Sequence, residues 1–150
     1  MDSTEIAKNR LSDFIKEMNA WEIECGRIED ENIDEAERFE LQKKMLEDIF
    51  ARYCTDKKRI NGRPNTISYG EEGSFDYDPK EEKIIDTNEE KDKILITTQR
   101  EVPMKEQFVY TLIRKGGVWL LDSKKKILYV EEKVGSRFFI ITCNNRGSFV

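Results

Sequence analysis

The chemistry this chain can do is narrowed at once, because it contains no histidine. Without imidazole there is no Ser-His or Cys-His nucleophile pair and no His-Asp proton relay, and the commonest transition-metal ligand is missing. Tyr53, Tyr110, Asp86 and Asp122 are among the acid–base groups that remain. Each also has a plainer use. Tyr53 closes an apolar stripe, Tyr110 alternates with Phe108 and Leu112, and Asp122 precedes Ser-Lys-Lys as a turn-former does. No catalytic residue, cofactor site or metal site is therefore assigned. Gly70, Gly73, Gly116 and Gly117 have the wrong spacing for a phosphate-cradling loop. Asp76, Asp78, Glu81 and Glu82 lack the spacing of an EF-hand. Cys25, Cys54 and Cys143 match neither a disulfide framework nor a CxxC site and read as reduced structural thiols.

Recognition is better served than catalysis. The run from Tyr69 to Asp78 interleaves aromatic and acidic side chains on a glycine-rich stretch. Aromatic rings give contact area at low entropic cost, and carboxylates steer a basic partner. Tyr69, Glu71, Glu72, Phe75, Asp76, Tyr77 and Asp78 are thus the candidate partner-binding residues. The same run also fits an ordinary surface turn with two core aromatics.

Two helices and a set of strands must position that run. Over residues 3–25, Ile6, Leu11, Phe14, Ile15, Met18 and Trp21 recur at spacings of three and four, which lines one helical face. Asp2 and Glu5 resemble a capping box, and Gly26 is the expected stop. Residues 27–33 are polar and expected to be a loop. A second helix is expected over 34–54, capped by Asp34 with Glu37 and striped by Phe39, Leu46, Ile49, Phe50 and Tyr53. Lys57-Lys58-Arg59 is expected to continue its C-terminal end, where cations suit the helix dipole, with a phosphate or RNA patch as the alternative. Beyond residue 65 the period becomes two. Strands are expected at Thr66–Tyr69, Ser74–Asp78, Lys83–Asp86, Lys93–Glu101, Gln107–Arg114, Val118–Asp122, 127–130 and 137–143. Asn88–Asp92 is expected to be a charged turn, and Gly116-Gly117 signals a hairpin. Helices followed by a strand meander predict an α+β fold, with the helices on one face of an antiparallel sheet.

The 150 residues carry a net charge of −5, and 38% are charged. The charge is uneven: residues 1–56 carry a net −8 and residues 57–150 a net +3. An acidic half argues against nucleic acid and suits a basic protein partner. Met1-Asp2-Ser3-Thr4-Glu5 has neither the basic nor the apolar region of a secretory signal. No apolar run approaches the ~20 residues of a membrane span. The expectation is a soluble cytoplasmic protein with no membrane partner.

Phe108, Tyr110, Leu112, Gly116-Gly117, Trp119, Leu121 and Asp122 form a "strand, Gly-Gly, Trp-x-Leu-Asp" hairpin. It resembles the last long hairpin of NTF2-like domains, in which helices pack in a strongly curved sheet. With the acidic helical half and the ending Trp119 to Lys125, the chain most resembles the NTF2-fold immunity proteins, bacterial antidotes to polymorphic toxins of types that include Rhs. The resemblance implies one NTF2-like cone over residues 1–150, helices over about 3–54 and sheet over about 66–143. It implies a stoichiometric inhibitor that occludes a cognate, basic toxin domain, with no turnover and no cofactor. The alternative it implies is an NTF2-like small-molecule binding or isomerase domain, in which an Asp base faces a Tyr donor; Tyr53 or Tyr110 would be that donor and Asp86 or Asp122 that base. It also leaves residues 55–65 to hold a third helix in degenerate form. The apolar Phe138–Cys143 run lies beyond the pattern, as an extra edge strand or a homodimer element.

Overall fold

The computed structural model describes residues 2–59, 62–131 and 138–143. Helix α1 spans Ser3–Glu29 and α2 spans Glu35–Tyr53. Both begin where the caps predict. Asp2 accepts the Glu5 N–H at 2.8 Å, and Asp34 accepts that of Glu37 at 3.4 Å, each satisfying an orphan donor of a first turn.

The far ends differ from expectation. Gly26 does not stop α1, because the buried stripe of Met18, Trp21 and Cys25 continues to Ile28. A glycine costs a helix only about 1 kcal/mol, less than one well-buried aliphatic side chain contributes. Ile6 and Phe39, placed in the stripes by spacing, are exposed, and Ala7 takes the buried place beside Ile6. Helix α2 ends at Tyr53, so Lys57-Lys58-Arg59 does not extend it. Cys54 is already extended and bridges Leu121, whose carbonyl accepts the Thr55 N–H at 2.9 Å. No third helix occurs among the described residues of 55–65.

Five antiparallel strands follow in simple sequential order: β1 Lys83–Glu90, β2 Lys93–Arg100, β3 Glu106–Lys115, β4 Val118–Glu131 and β5 Phe138–Cys143. Gly116 and Gly117 turn β3 into β4 with positive φ at both, the geometry that matches strand twist in a two-residue hairpin. The strands expected at Thr66–Tyr69 and Ser74–Asp78 are not formed; residues 64–82 are turns and irregular chain. The turn expected at Asn88–Asp92 shrinks to residues 91 and 92, and the segment at 127–130 is the end of β4 rather than a separate strand.

The sheet is curved and carries two register shifts, one in β1 between Ile84 and Asp86 and one in β4 opposite Thr111/Leu112. In β4 the extra residue is Asp122, since Leu112 pairs with Leu121 and Thr111 with Ser123. A one-residue bulge exchanges the two faces of a strand. Trp119 and Leu121 point inward before it, and Lys124 points inward after it.

The concave face is thereby divided. At one end Ile94, Ile96, Leu112, Trp119 and Leu121 meet Leu11, Phe14 and Met18 of α1 and Leu46, Ile49 and Phe50 of α2. Phe14 packs edge-on against Phe50, Tyr53 and Tyr77 at 6.2, 5.9 and 5.5 Å. At the other end Thr98, Arg100 and Lys124 point inward beside Phe108 and Tyr110, with Glu82 near them. Arg10 ties the two helices to the sheet by donating to the carbonyls of Trp119 and Arg52. Cys25 and Cys54 are buried free thiols, each pushed up to about 12 by burial. The Cys143 side chain lies outside the described residues.

Candidate partner-binding site

The irregular chain from 69 to 82 is held by one buried carboxylate. Glu22 sits on the inner face of α1, 1% exposed. Its Oε2 accepts the Gly70 and Asp76 N–H groups at 2.9 and 3.0 Å, and its Oε1 accepts that of Tyr77 at 2.8 Å. Burial pushes its carboxyl above the ordinary value, while the three amides pull the other way. The donors come from both ends of the loop, so Glu22 closes it like a clasp. Gly70 is required there: a Cβ would lie 2.1 Å from the Ser74 carbonyl oxygen. Asn19 adds a hydrogen bond to the Tyr77 carbonyl at 2.8 Å.

These anchors decide what each candidate residue does. Glu71 and Glu72 stand exposed on the turn that Gly73 completes with a φ of 90°. Tyr69 is half-buried. Its ring meets Trp21 edge-on, and its hydroxyl donates to Glu29 at 2.5 Å. Phe75 is half-buried at the crest of the loop. Asp78 is 8% exposed; its Oδ1 accepts the Lys80 N–H and its carbonyl those of Glu81 and Glu82. Asp76 points across the loop to Arg63, 2.5 Å away. Tyr77 is 0% exposed, wedged between Phe14 and the sheet. That corrects its placement as a contact residue: no partner reaches it while the fold is intact. Its alternation with Phe75 reflects core packing.

Tyr69, Glu71, Glu72, Phe75 and Asp78 are brought together with the C-terminal half of α1 around a groove of about 1000 Å³. Asp76 and Tyr77 are not among its lining residues. The sequence reading missed what α1 and the loop's end contribute: Glu29, Asp30, Glu81 and the exposed Ile23. The available signal was helical spacing, since positions 22, 26, 29 and 30 fall on one helical face. Counting Glu22 on the floor, seven carboxylates line the groove against one cation, Lys80. The walls are a long helix and a clasped loop, so the acidic surface is preorganised.

The Asp–Tyr chemistry finds no matching geometry. The Tyr110 hydroxyl donates to Glu82 at 2.7 Å. Asp122 accepts the Thr55 hydroxyl at 2.9 Å and the Lys57 ammonium at 3.3 Å. Asp86 is exposed on β1, and the Tyr53 ring is covered by the Arg10 guanidinium at 4.5 Å. Among the described residues no helix is long and apolar enough to cross a membrane.

Comparison with known proteins converges on one description. A family model described as "NTF2 fold immunity protein" matches residues 6–136. A relative from Dickeya dadantii (strain 3937), named immunity protein RhsIA, is 33% identical over 132 residues. That match covers 87% of this chain and 95% of the relative. No solved structure matches.

Proposed function

The chain belongs to the NTF2-fold immunity proteins, and from that premise we propose that it neutralises a cognate Rhs-type toxin domain by seating a basic segment of it in the groove between α1 and the 69–81 loop. The observation that carries this reading is the charge of the groove, seven carboxylates to one lysine. Clustered carboxylates attract a cationic partner over a Debye length and raise its encounter rate. Exposed Ile23 and half-buried Tyr69 and Phe75 supply the apolar contact that lowers the dissociation rate. Action is stoichiometric and occurs in the cytoplasm, where a toxin entering from a neighbour or made by the cell itself has to be met. The isomerase alternative gains nothing from the geometry, because its Tyr and Asp candidates are engaged elsewhere.

The test is growth rescue. The toxic C-terminal domain of the gene immediately upstream is induced with and without this protein. Rescue and one-to-one co-purification are expected. Reversing Glu29, Glu71, Glu72 and Glu81 to Lys together is expected to slow association by about tenfold or more at low salt. An unchanged association rate would remove the groove from the interface while leaving the antidote function standing.

A further inference from the structure

Across the loop from the acidic groove, the polar end of the concave face forms a second pocket of about 340 Å³, between residues 62–76 and strands β2 to β4. Its charge is opposite. Arg63, Arg100, Lys124 and Lys126 line it, and two of these cations are paired: Arg63 with Asp76 at 2.5 Å, and Lys126 with Glu106 at 2.8 Å. Arg100 and Lys124 remain, each 2% exposed. Arg100 donates Nε to the Val102 carbonyl and Nη1 to the Asp76 carbonyl, both at 2.9 Å. Its Nη2 is buried and has no hydrogen-bond partner among the described residues. The Lys124 ammonium stands over the rings of Tyr77 and Phe108, 4.0 and 4.2 Å from their centres. The buried carboxylate beside them, Glu82, receives the Thr98 and Tyr110 hydroxyls on Oε2 and leaves its buried Oε1 without a hydrogen-bond partner among the described residues. One carboxylate against two cations leaves this layer with a surplus positive charge. Two buried cations to one buried carboxylate, with an Arg100 donor unused, suit an added oxyanion. The sheet departs from regular pairing to put the charge there, since the Asp122 bulge is what turns Lys124 inward.

We propose that this pocket binds a small organic anion, its carboxylate or phosphate oxygens meeting Arg100 Nη2 and the Lys124 ammonium, its apolar body resting on Phe75 and Phe108. The site is independent of the groove. Phe75 lines both, but the charged residues are different sets.

The experiment is a titration of the isotope-labelled full chain, at matched ionic strength, with inorganic phosphate and separately with glutarate. Amide resonances are followed. Saturable shifts are expected, confined to the 62–76 loop and the neighbourhoods of Arg100 and Lys124. Lys124→Met, which keeps the length and removes the charge, is expected to weaken binding at least about tenfold. Arg100→Lys, which keeps the charge and removes the fork, is the second variant should the first fold poorly. Glu71→Lys with Glu72→Lys is expected to bind as the parent does. Saturation by one probe alone supports the site and names its head group. Shifts that do not saturate at tens of millimolar, or equal binding by both variants, overturn the proposal.

Discussion

At Glu22 a single side chain gives two oxygens to three amide hydrogens from the two ends of one loop. Glutamine has nearly the same volume but turns one of those oxygens into a donor, which then faces an N–H. Leaving a buried donor unmatched costs about 1–3 kcal/mol. Glu22→Gln is therefore expected to lower stability by that amount, read as a lower urea midpoint at unchanged slope. Lys124 offers a test with a sign. Burial is the main cause that pulls its ammonium down from 10.5 to about 8, with Glu82 opposing. Between those values the unfolded chain holds a proton that the folded chain has released. Stability from this group is therefore full above pH 10.5 and is lost as pH falls through 8. Lys124→Met has no such proton. The parent should gain on the variant by up to about 1.4 kcal/mol per pH unit across that window. Urea titrations at pH 7, 9 and 10.5 measure it, and a constant difference would show that Lys124 titrates as an exposed lysine does.

The elements were legible in the sequence wherever a period and a cap coincided. Both helices, the Gly116-Gly117 hairpin and the alternation of Phe108, Tyr110 and Leu112 all came from patterns that repeat locally. The failures share a cause too. Gly26 punctuates only if the apolar stripe has ended, and Ile28 continues it. Phe75 and Tyr77 alternate like a strand, yet the two-residue period comes from one ring facing the core and one cresting the loop, with Glu22 supplying the hydrogen bonds that a strand partner would. That Lys124 faces inward has no sign in Lys124-Lys125-Lys126, because a bulge at Asp122 leaves no local signature. In the groove, Glu71 and Glu72 could be seen, but Glu29 and Asp30 could not be joined to them before α1 and the loop were placed side by side. The loop conformation depends on Gly70. Gly70→Ala pushes a methyl into the Ser74 carbonyl and is expected to destabilise by about 1–3 kcal/mol, with the resonance changes concentrated in residues 69–78 while β2 to β4 keep theirs.

Over the whole molecule the charge is sorted by the loop into two oppositely signed concavities, with Phe75 on the ridge between them. A net charge of −5 understates what a partner meets on the α1 side. Association with the toxin domain is expected to slow as salt rises from about 0.05 to 0.5 M, with dissociation changing far less, a contrast that stopped-flow and surface-binding kinetics both resolve. The clasp at Glu22 bears on how this surface comes apart. Because the Gly70, Asp76 and Tyr77 amides end on a residue of the long helix, opening the base of the loop breaks buried hydrogen bonds that exposed loops ordinarily lack. The loop wall of the groove is thus expected to open together with the hydrophobic interior, which amide exchange measures. A protease that meets this protein is then expected to find the base of the loop, at Gly70, Asp76 and Tyr77, far harder to reach than its exposed tip at residues 71–74.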